Sequence, residues 1–197
     1  MRKVLVIDDH DPSRRSLAGA LAVSGYEVVG EGSSGKAAPA LVAATTPEVV
    51  LMAVGLTDLD GINAARNIMD ATPLPIVLLT SHHDAGTIER AKNAGVMGYL
   101  IKPLRERELN PAIELAISRF NEFTGLQKQN QELKKTLEAR KIVERAKGIL
   151  MQRQGLSEAE AFSSIQKKSM DMRKPMAEIA RAIILSEEVA QRKKHRI

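Results

Sequence analysis

Cysteine is missing from all 197 residues. Its absence excludes a disulfide framework, a thiolate metal centre and a cysteine nucleophile, and it fits a reducing compartment. Tryptophan is missing too, and aromatic residues make up 3% of the chain, so any core has to be filled by Leu, Ile, Val, Ala and Met. No apolar run approaches the roughly 20 residues that a membrane-spanning helix needs. The opening MRKVLVIDDHD passes from a short apolar segment straight into acids, which is not the pattern of a signal peptide. A cytoplasmic chain with no membrane partner is the expectation. What is present is a hydrophobic fraction of 44%, enough for a proper core, in a chain long for one ordinary domain and comfortable for two.

The net charge of +5 is unevenly spread. Residues 1–120 hold 12 Lys and Arg against 14 Asp and Glu, a net of −2, whereas residues 121–197 hold 17 against 10, a net of +7. A basic region behind a slightly acidic one points to a polyanionic partner for the C-terminal part, with a solvated helical surface as the plainer alternative.

Over the first 120 residues short β-branched apolar runs alternate with helical stretches, the rhythm of a parallel sheet covered on both faces. Strands are expected at 4–7, 27–29, 49–52, 76–79 and 98–101, and helices near 14–24, 36–44, 62–70, 85–94 and 107–120. Five such pairs predict a doubly wound, flavodoxin-like α/β sheet, whose site forms beyond the carboxyl ends of its strands. Asp8 and Asp9, Ala53, Thr80 and Lys102 stand at those ends.

From Arg107 onward nothing reads as strand. Phe123, Asn130 and Leu137 fall on heptad a positions, with Leu126 and Leu133 on d. A single Asn at an a position fixes register in a parallel two-stranded coiled coil, so these five residues are the expected dimer seam. The alternative is one surface helix packed on its own domain. Beyond Leu137 the seam meets Arg140 and Glu144, and the apolar residues shift to Ile142, Val143, Ala146, Ile149 and Leu150, as in a small bundle. Gly155 can end that helix, Ser157 and Glu160 form a capping box for a second, and Pro175 suits the first turn of a third. The basic end, 191–197, is expected to fray.

Adjacent acids after one strand, a Thr after another and a Lys-Pro after a third are weak signals singly. In this order, within VLVIDDH, VVLMAVGLTDLDGI, IVLLTS and GVMGYLIKPL, they resemble the receiver domain of bacterial response regulators over essentially all of 1–120. The resemblance implies metal-assisted phosphoryl transfer to a carboxylate. Asp8, Asp9 and the carbonyl of Gly55 would hold Mg²⁺. Lys102 and Thr80 would bind phosphoryl oxygens, Tyr99 would be the aromatic switch, and the Lys102–Pro103 bond would be cis. A sensor histidine kinase is the implied partner. One departure is decisive: the family's phospho-accepting aspartate belongs where this chain has Ala53. Alanine offers no nucleophilic oxygen and removes a metal ligand, so Mg²⁺ binding is expected to be weak, and Asp58 and Asp60 in the following loop are poor substitutes. Either a natural receiver has lost its chemistry and kept its fold, or an aspartate has been replaced in a working one. Survival of Asp8, Asp9, Thr80, Tyr99 and Lys102 favours replacement.

The segment from RAKGILM at 145–151 through GLSEAEAF at 155–162 to RKPMAEIA at 173–180 resembles the ANTAR domain, a three-helix antiterminator module. The implied organisation is a receiver at 1–120, a coiled-coil helix at 121–139 and an all-α RNA-binding module at 137–190. Such modules bind paired RNA stem-loops, in mRNA leaders, and keep a terminator from forming. A coiled-coil homodimer would then hold two weak sites together and raise their effective concentration. RNA loops call for Arg and Lys with adaptable polar neighbours. The candidates are Arg140, Lys141, Arg145, Lys147, Arg153, Arg173 and Lys174. Gly148 and Ala146 leave room for close approach by a helix or a nucleotide. Phe162, at helical spacing with Ile165, reads as core rather than as a stacking platform. A DNA-binding regulator and a phosphorylation-independent adaptor are the alternatives. The largely apolar or acidic stretches at 159–162 and 176–182 disfavour groove reading by a helix-turn-helix. An enzyme in the ordinary sense is not expected.

Overall fold

The computed structural model describes residues 1–81 and 85–194, with no side chains described from 190 onward; of the stretch 191–197 expected to fray, 191–194 are helical and 195–197 lie outside the described residues. The chain divides into two units, Met1–Gly125 and Leu126–Ile197.

In the first unit five parallel strands, β1 (Lys3–Ile7), β2 (Glu27–Gly32), β3 (Val49–Ala53), β4 (Ile76–Thr80) and β5 (Gly98–Ile101), stand in the order β2-β1-β3-β4-β5. This is the flavodoxin-like order read from the sequence pattern. The inner strands β3 and β4 are buried along their whole length, because VVLMA and IVLLT are apolar on both faces. Helices α1 (Asp11–Val23), α2 (Ala38–Thr45), α3 (Gly61–Ala71) and α4 (Ala85–Asn93) alternate with the strands, and α5 (Glu106–Gln154) follows β5. Leu17 and Leu21 of α1 and Leu109, Ile113 and Ile117 of α5 cover one face with Val4, Val6, Leu51 and Leu79. Helices α2, α3 and α4 cover the other through Val42, Ile62, Ile68 and Ala91.

Strand β2 runs three residues beyond the expected 27–29. The extension is Gly30, Glu31 and Gly32, residues of low strand propensity. They suit an edge strand pressed closely by α2: a Cβ on Gly30 would lie 3.1 Å from both Leu5 and Thr45 side chains, and one on Gly32 would lie 2.6 Å from Leu41. Helix α5 also differs from expectation, since the segments read separately as 107–120, a coiled coil and the start of a bundle form one unbroken helix.

In the second unit the C-terminal part of α5 packs with α6 (Glu158–Met172) and α7 (Met176–Lys194) around Ala146, Leu150, Ala161, Ile165, Ile179, Ala180 and Ile184. Gly155 ends α5 at φ 67°, a conformation that favours glycine. The capping box forms as the sequence indicates. The Ser157 hydroxyl accepts from the Glu160 backbone N–H, and the Glu160 carboxylate accepts from the Ser157 N–H at 2.8 Å. Ser157→Ala removes this reciprocal cap and is expected to cost about 1 kcal/mol. Thermal unfolding of the chain checks this; an unchanged transition would show that the cap contributes nothing.

Candidate functional site

The carboxyl ends of β1, β3, β4 and β5 converge on a cleft of about 430 Å³ lined by Asp8, Asp9, Ala53, Gly55, Thr80 and Lys102, among others. Each is delivered by a strand end or the turn after it. The backbone N–H of Lys102 donates to the Thr80 carbonyl at 2.8 Å, and that of Val54 to Leu79 at 2.9 Å, so the turns after β3 and β5 are stitched to β4. The Lys102–Pro103 peptide is cis.

Asp8 is buried, and the Lys102 ammonium donates to its Oδ2 at 2.5 Å while the His10 backbone N–H donates to its Oδ1 at 3.0 Å. A carboxylate so deep has its burial compensated by a cation and an amide. Asp9 accepts from the Thr57 N–H at 3.0 Å. Thr80 is buried at the end of β4, and Ala53, 4% exposed, brings a methyl group to the cleft. Tyr99 differs from the rest: it is 47% exposed and lines a separate groove with Ile88, Leu115 and Arg119.

The carboxylates of Asp8 and Asp9 are what the cleft offers a hard cation, and Gly55 lines it beside them. Both acids already accept protein hydrogen bonds, and among the described residues no group of three or more His, Cys, Asp or Glu could hold a metal ion. Mg²⁺ is commonly held by one or two carboxylates with water completing its octahedron, and Asp8 and Asp9 are the acids the cleft has for it.

Asp58 and Asp60 are engaged elsewhere. Asp60 caps α3 by accepting from the Ile62 N–H at 2.7 Å and pairs with Arg90 at 2.7 Å. Asp58 accepts from the Ser34 hydroxyl at 2.6 Å, the Gly35 N–H at 2.8 Å and the Lys36 N–H at 3.2 Å. It thereby fastens the turn before α2 to the turn after β3. The Ser34 hydroxyl first, and the Gly35 amide next, lower its pKa from 3.8 to about 2. A depressed carboxylate stabilises the fold above its unfolded pKa, and the contribution is lost as pH falls through the folded value. Asp58→Asn is therefore expected to flatten the acid limb of receiver stability between about pH 4 and pH 2. Parallel acid limbs in thermal unfolding of the two proteins would contradict it.

In the second unit, Arg140, Lys141 and Arg145 are exposed on α5, and Arg173 and Lys174 are exposed at the α6–α7 connection. Arg173 itself ends α6 in the left-handed region, at φ 52°. Several of these cations have acidic partners: Lys141 with Glu138 at 3.0 Å, Lys174 with Glu178 at 2.8 Å, Arg145 with Glu188 at 3.0 Å, and Arg153 with Glu187. Glu187 and Glu188 of α7 were not legible as partners, because 43 residues separate Arg145 from Glu188.

Lys147 departs from the role expected of it. It is 6% exposed, and its ammonium sits 2.8 Å from Glu144 and 2.7 Å from Glu158. Those two carboxylates, Glu144 first, raise its pKa. It ties α5 to the start of α6, and its side chain is not part of the outer basic surface. Phe162, expected in the core, is 41% exposed, while Ala161 and Ile165 beside it are buried. The heptad residues Phe123, Leu126, Leu133 and Leu137 are all exposed on α5, at 47% or more. No described helix is long and apolar enough to cross a membrane.

Comparison with known proteins gives the same division. Residues 4–114 match the response regulator receiver domain, and residues 131–184 match the ANTAR domain. The transcriptional regulatory protein PdtaR of Mycobacterium tuberculosis is 43% identical over 183 residues, covering 93% of this chain and 89% of that protein. The regulatory protein AtoC of Escherichia coli is 33% identical over 118 residues, 59% of this chain and 25% of its own length. Among solved structures, the signal receiver domain of a modulated diguanylate cyclase from Desulfovibrio desulfuricans superposes with a TM-score of 0.58 at 31% identity, covering 61% of this chain and 97% of that one.

Proposed function

This chain belongs to the response regulators, with a receiver domain followed by an ANTAR domain, and we propose that it is an RNA-binding transcription antiterminator whose receiver cannot be switched by the usual phosphorylation. The observation that carries the reading is the division of labour in the second unit. Its core takes the apolar residues of three short helical stretches, and its outer surface presents Arg140, Lys141, Arg145, Arg173 and Lys174. Exposed cations of this kind suit phosphates and unstacked bases.

The exposed row Phe123, Leu126, Leu133 and Leu137, with Asn130 among them, supports a parallel coiled-coil homodimer. Two modules joined in this way would grip two stem-loops of one RNA at once. On the receiver side, a sensor histidine kinase is the partner of the unsubstituted site. In this chain Ala53 gives it nothing to phosphorylate, and Mg²⁺ has only Asp8, Asp9 and the Gly55 carbonyl. The Lys102–Asp8 pair instead holds the cleft in its resting arrangement, and the site performs no catalysis. The protein works in the cytoplasm, where its RNA is made.

Filter binding against RNA stem-loops, duplex DNA and an acidic protein, each over a range of salt, tests the reading. Preference for stem-loops, weakening steeply as salt rises, is the expected outcome. Preference for duplex DNA would make the chain a DNA-binding regulator, and binding to neither nucleic acid would leave an adaptor.

A further inference from the structure

Within one chain, helix α5 is held at its two ends and nowhere between. Leu109, Ile113, Ala116 and Ile117 bury its first part in the receiver, and Ala146 and Leu150 bury its last part in the second unit. From 121 to 138 no residue is buried, and all but Thr124 are exposed. A helical stretch of that length with no face covered is marginal on its own. Its local chemistry then decides where it gives way.

Two weaknesses meet at one point of this stretch. Gly125 is the sole glycine in it, and glycine holds a helix less well than any residue but proline. Beside it, the Thr124 hydroxyl donates to the Phe120 carbonyl at 2.9 Å and lies 3.1 Å from the Asn121 carbonyl. In a regular α-helix these two carbonyls accept the N–H groups of Thr124 and Gly125. A hydroxyl that shares them weakens and bends the helix at that turn. Neither feature alone picks out the place. Thr136 donates in the same way to the Glu132 carbonyl, at 2.9 Å, with no glycine beside it. Gly19 and Gly148 are as open around their Cβ positions as Gly125, but buried Leu17 and Leu21 flank the first, and buried Ala146 and Leu150 flank the second. The division of the chain into compact units falls at the same residue, between Gly125 and Leu126.

We propose that α5 is jointed at Thr124–Gly125, and that the helix opens there while the segments on either side stay folded. The joint separates Phe123 from the rest of the exposed apolar row, Leu126, Leu133 and Leu137. A change in the receiver therefore reaches that row through a soft turn, not through a continuous rigid rod. The device lets the receiver and the exposed row change independently.

Backbone amide hydrogen exchange in the full chain, read residue by residue by NMR, tests it. Protection factors at 124–129, the amides whose helical carbonyl partners lie at 120–125, should fall at least about tenfold below those at 133–138. The latter stretch is equally exposed and contains Thr136. Gly125→Ala should raise protection at 124–129 by about fourfold and leave 133–138 unchanged. Thr124→Val, which removes only the hydroxyl, should raise it there too. Neither position is buried, so both variants should keep the thermal unfolding of the parent. Equal protection across 121–138 in the parent would overturn the joint, leaving either an unbroken rod or a helix that melts as one segment. A contrast that survives both substitutions unchanged would overturn it as well, since the weakness would then lie in neither residue.

Discussion

Ala53→Asp should turn a chain that takes up no phosphoryl group into one that is stoichiometrically phosphorylated by acetyl phosphate in the presence of Mg²⁺. The reasoning is local. Ala53 ends β3 and faces the cleft that Asp8, Asp9, Thr80 and Lys102 also line. An aspartate there supplies the missing nucleophile: its carboxylate oxygen forms a bond to phosphorus, the bond from phosphorus to the donor's acyl oxygen breaks, and acetate leaves. It also adds a third acid beside Asp8 and Asp9, which strengthens the cleft as a site for a hard divalent cation. Lys102, now 2.5 Å from Asp8, is the cation at hand for the transferred group. Intact-protein mass spectrometry reads the result directly. The parent should show no added phosphate under the same treatment. Labelling of the parent at Asp58, Asp60 or Asp9 would mean that another acid substitutes for the missing acceptor.

Gly61→Ala should be the most damaging small substitution in the receiver. A Cβ at this position would come 2.0 Å from the Ala53 carbonyl oxygen and 2.9 Å from its carbon. These are backbone atoms of a fully buried central strand, so neither rotamer change nor a shifted side chain can relieve the clash. The same glycine donates its N–H to the Val54 carbonyl at 2.8 Å and follows the Asp60 cap of α3. The strand end and the helix start would have to part, at a cost of about 3 kcal/mol or more. Chemical denaturation of the receiver should show it. Because α6, α7 and the C-terminal part of α5 have a core of their own, the helical signal of the second unit should persist where the receiver unfolds. A receiver transition within experimental error of the parent would contradict the packing described here.

The elements that could be read from the sequence were those whose signal is local. Continuous apolar runs marked β1, β3 and β4, acids and a Lys-Pro at the strand ends marked the cleft, and Ser157 with Glu160 marked the start of α6. What escaped was set by tertiary contact. Gly30 and Gly32 look like turn residues until α2 is seen to press on them. Asp58 looks like a solvated loop acid until the turn at 34–36 is brought to it. Lys147 looks like any other cation on a basic helix. Only the approach of Glu158, 11 residues away in sequence, shows that it faces inward. Glu187 and Glu188 follow the same rule, since nothing near them in the chain announces Arg153 and Arg145. Phe162 fell on a helical apolar spacing, but its neighbours Ala161 and Ile165 fill the core and leave its ring half outside.

The central claim is that this is an antiterminator held off by the loss of its acceptor, and binding to a two-stem-loop RNA and to its separate halves tests it most directly. The account predicts weak binding by the chain as it stands. It predicts tight, donor-dependent binding that prefers the joined stem-loops once Ala53→Asp is introduced. Equal binding by both proteins, with or without donor, would contradict the switch, and no binding by either would contradict the antiterminator.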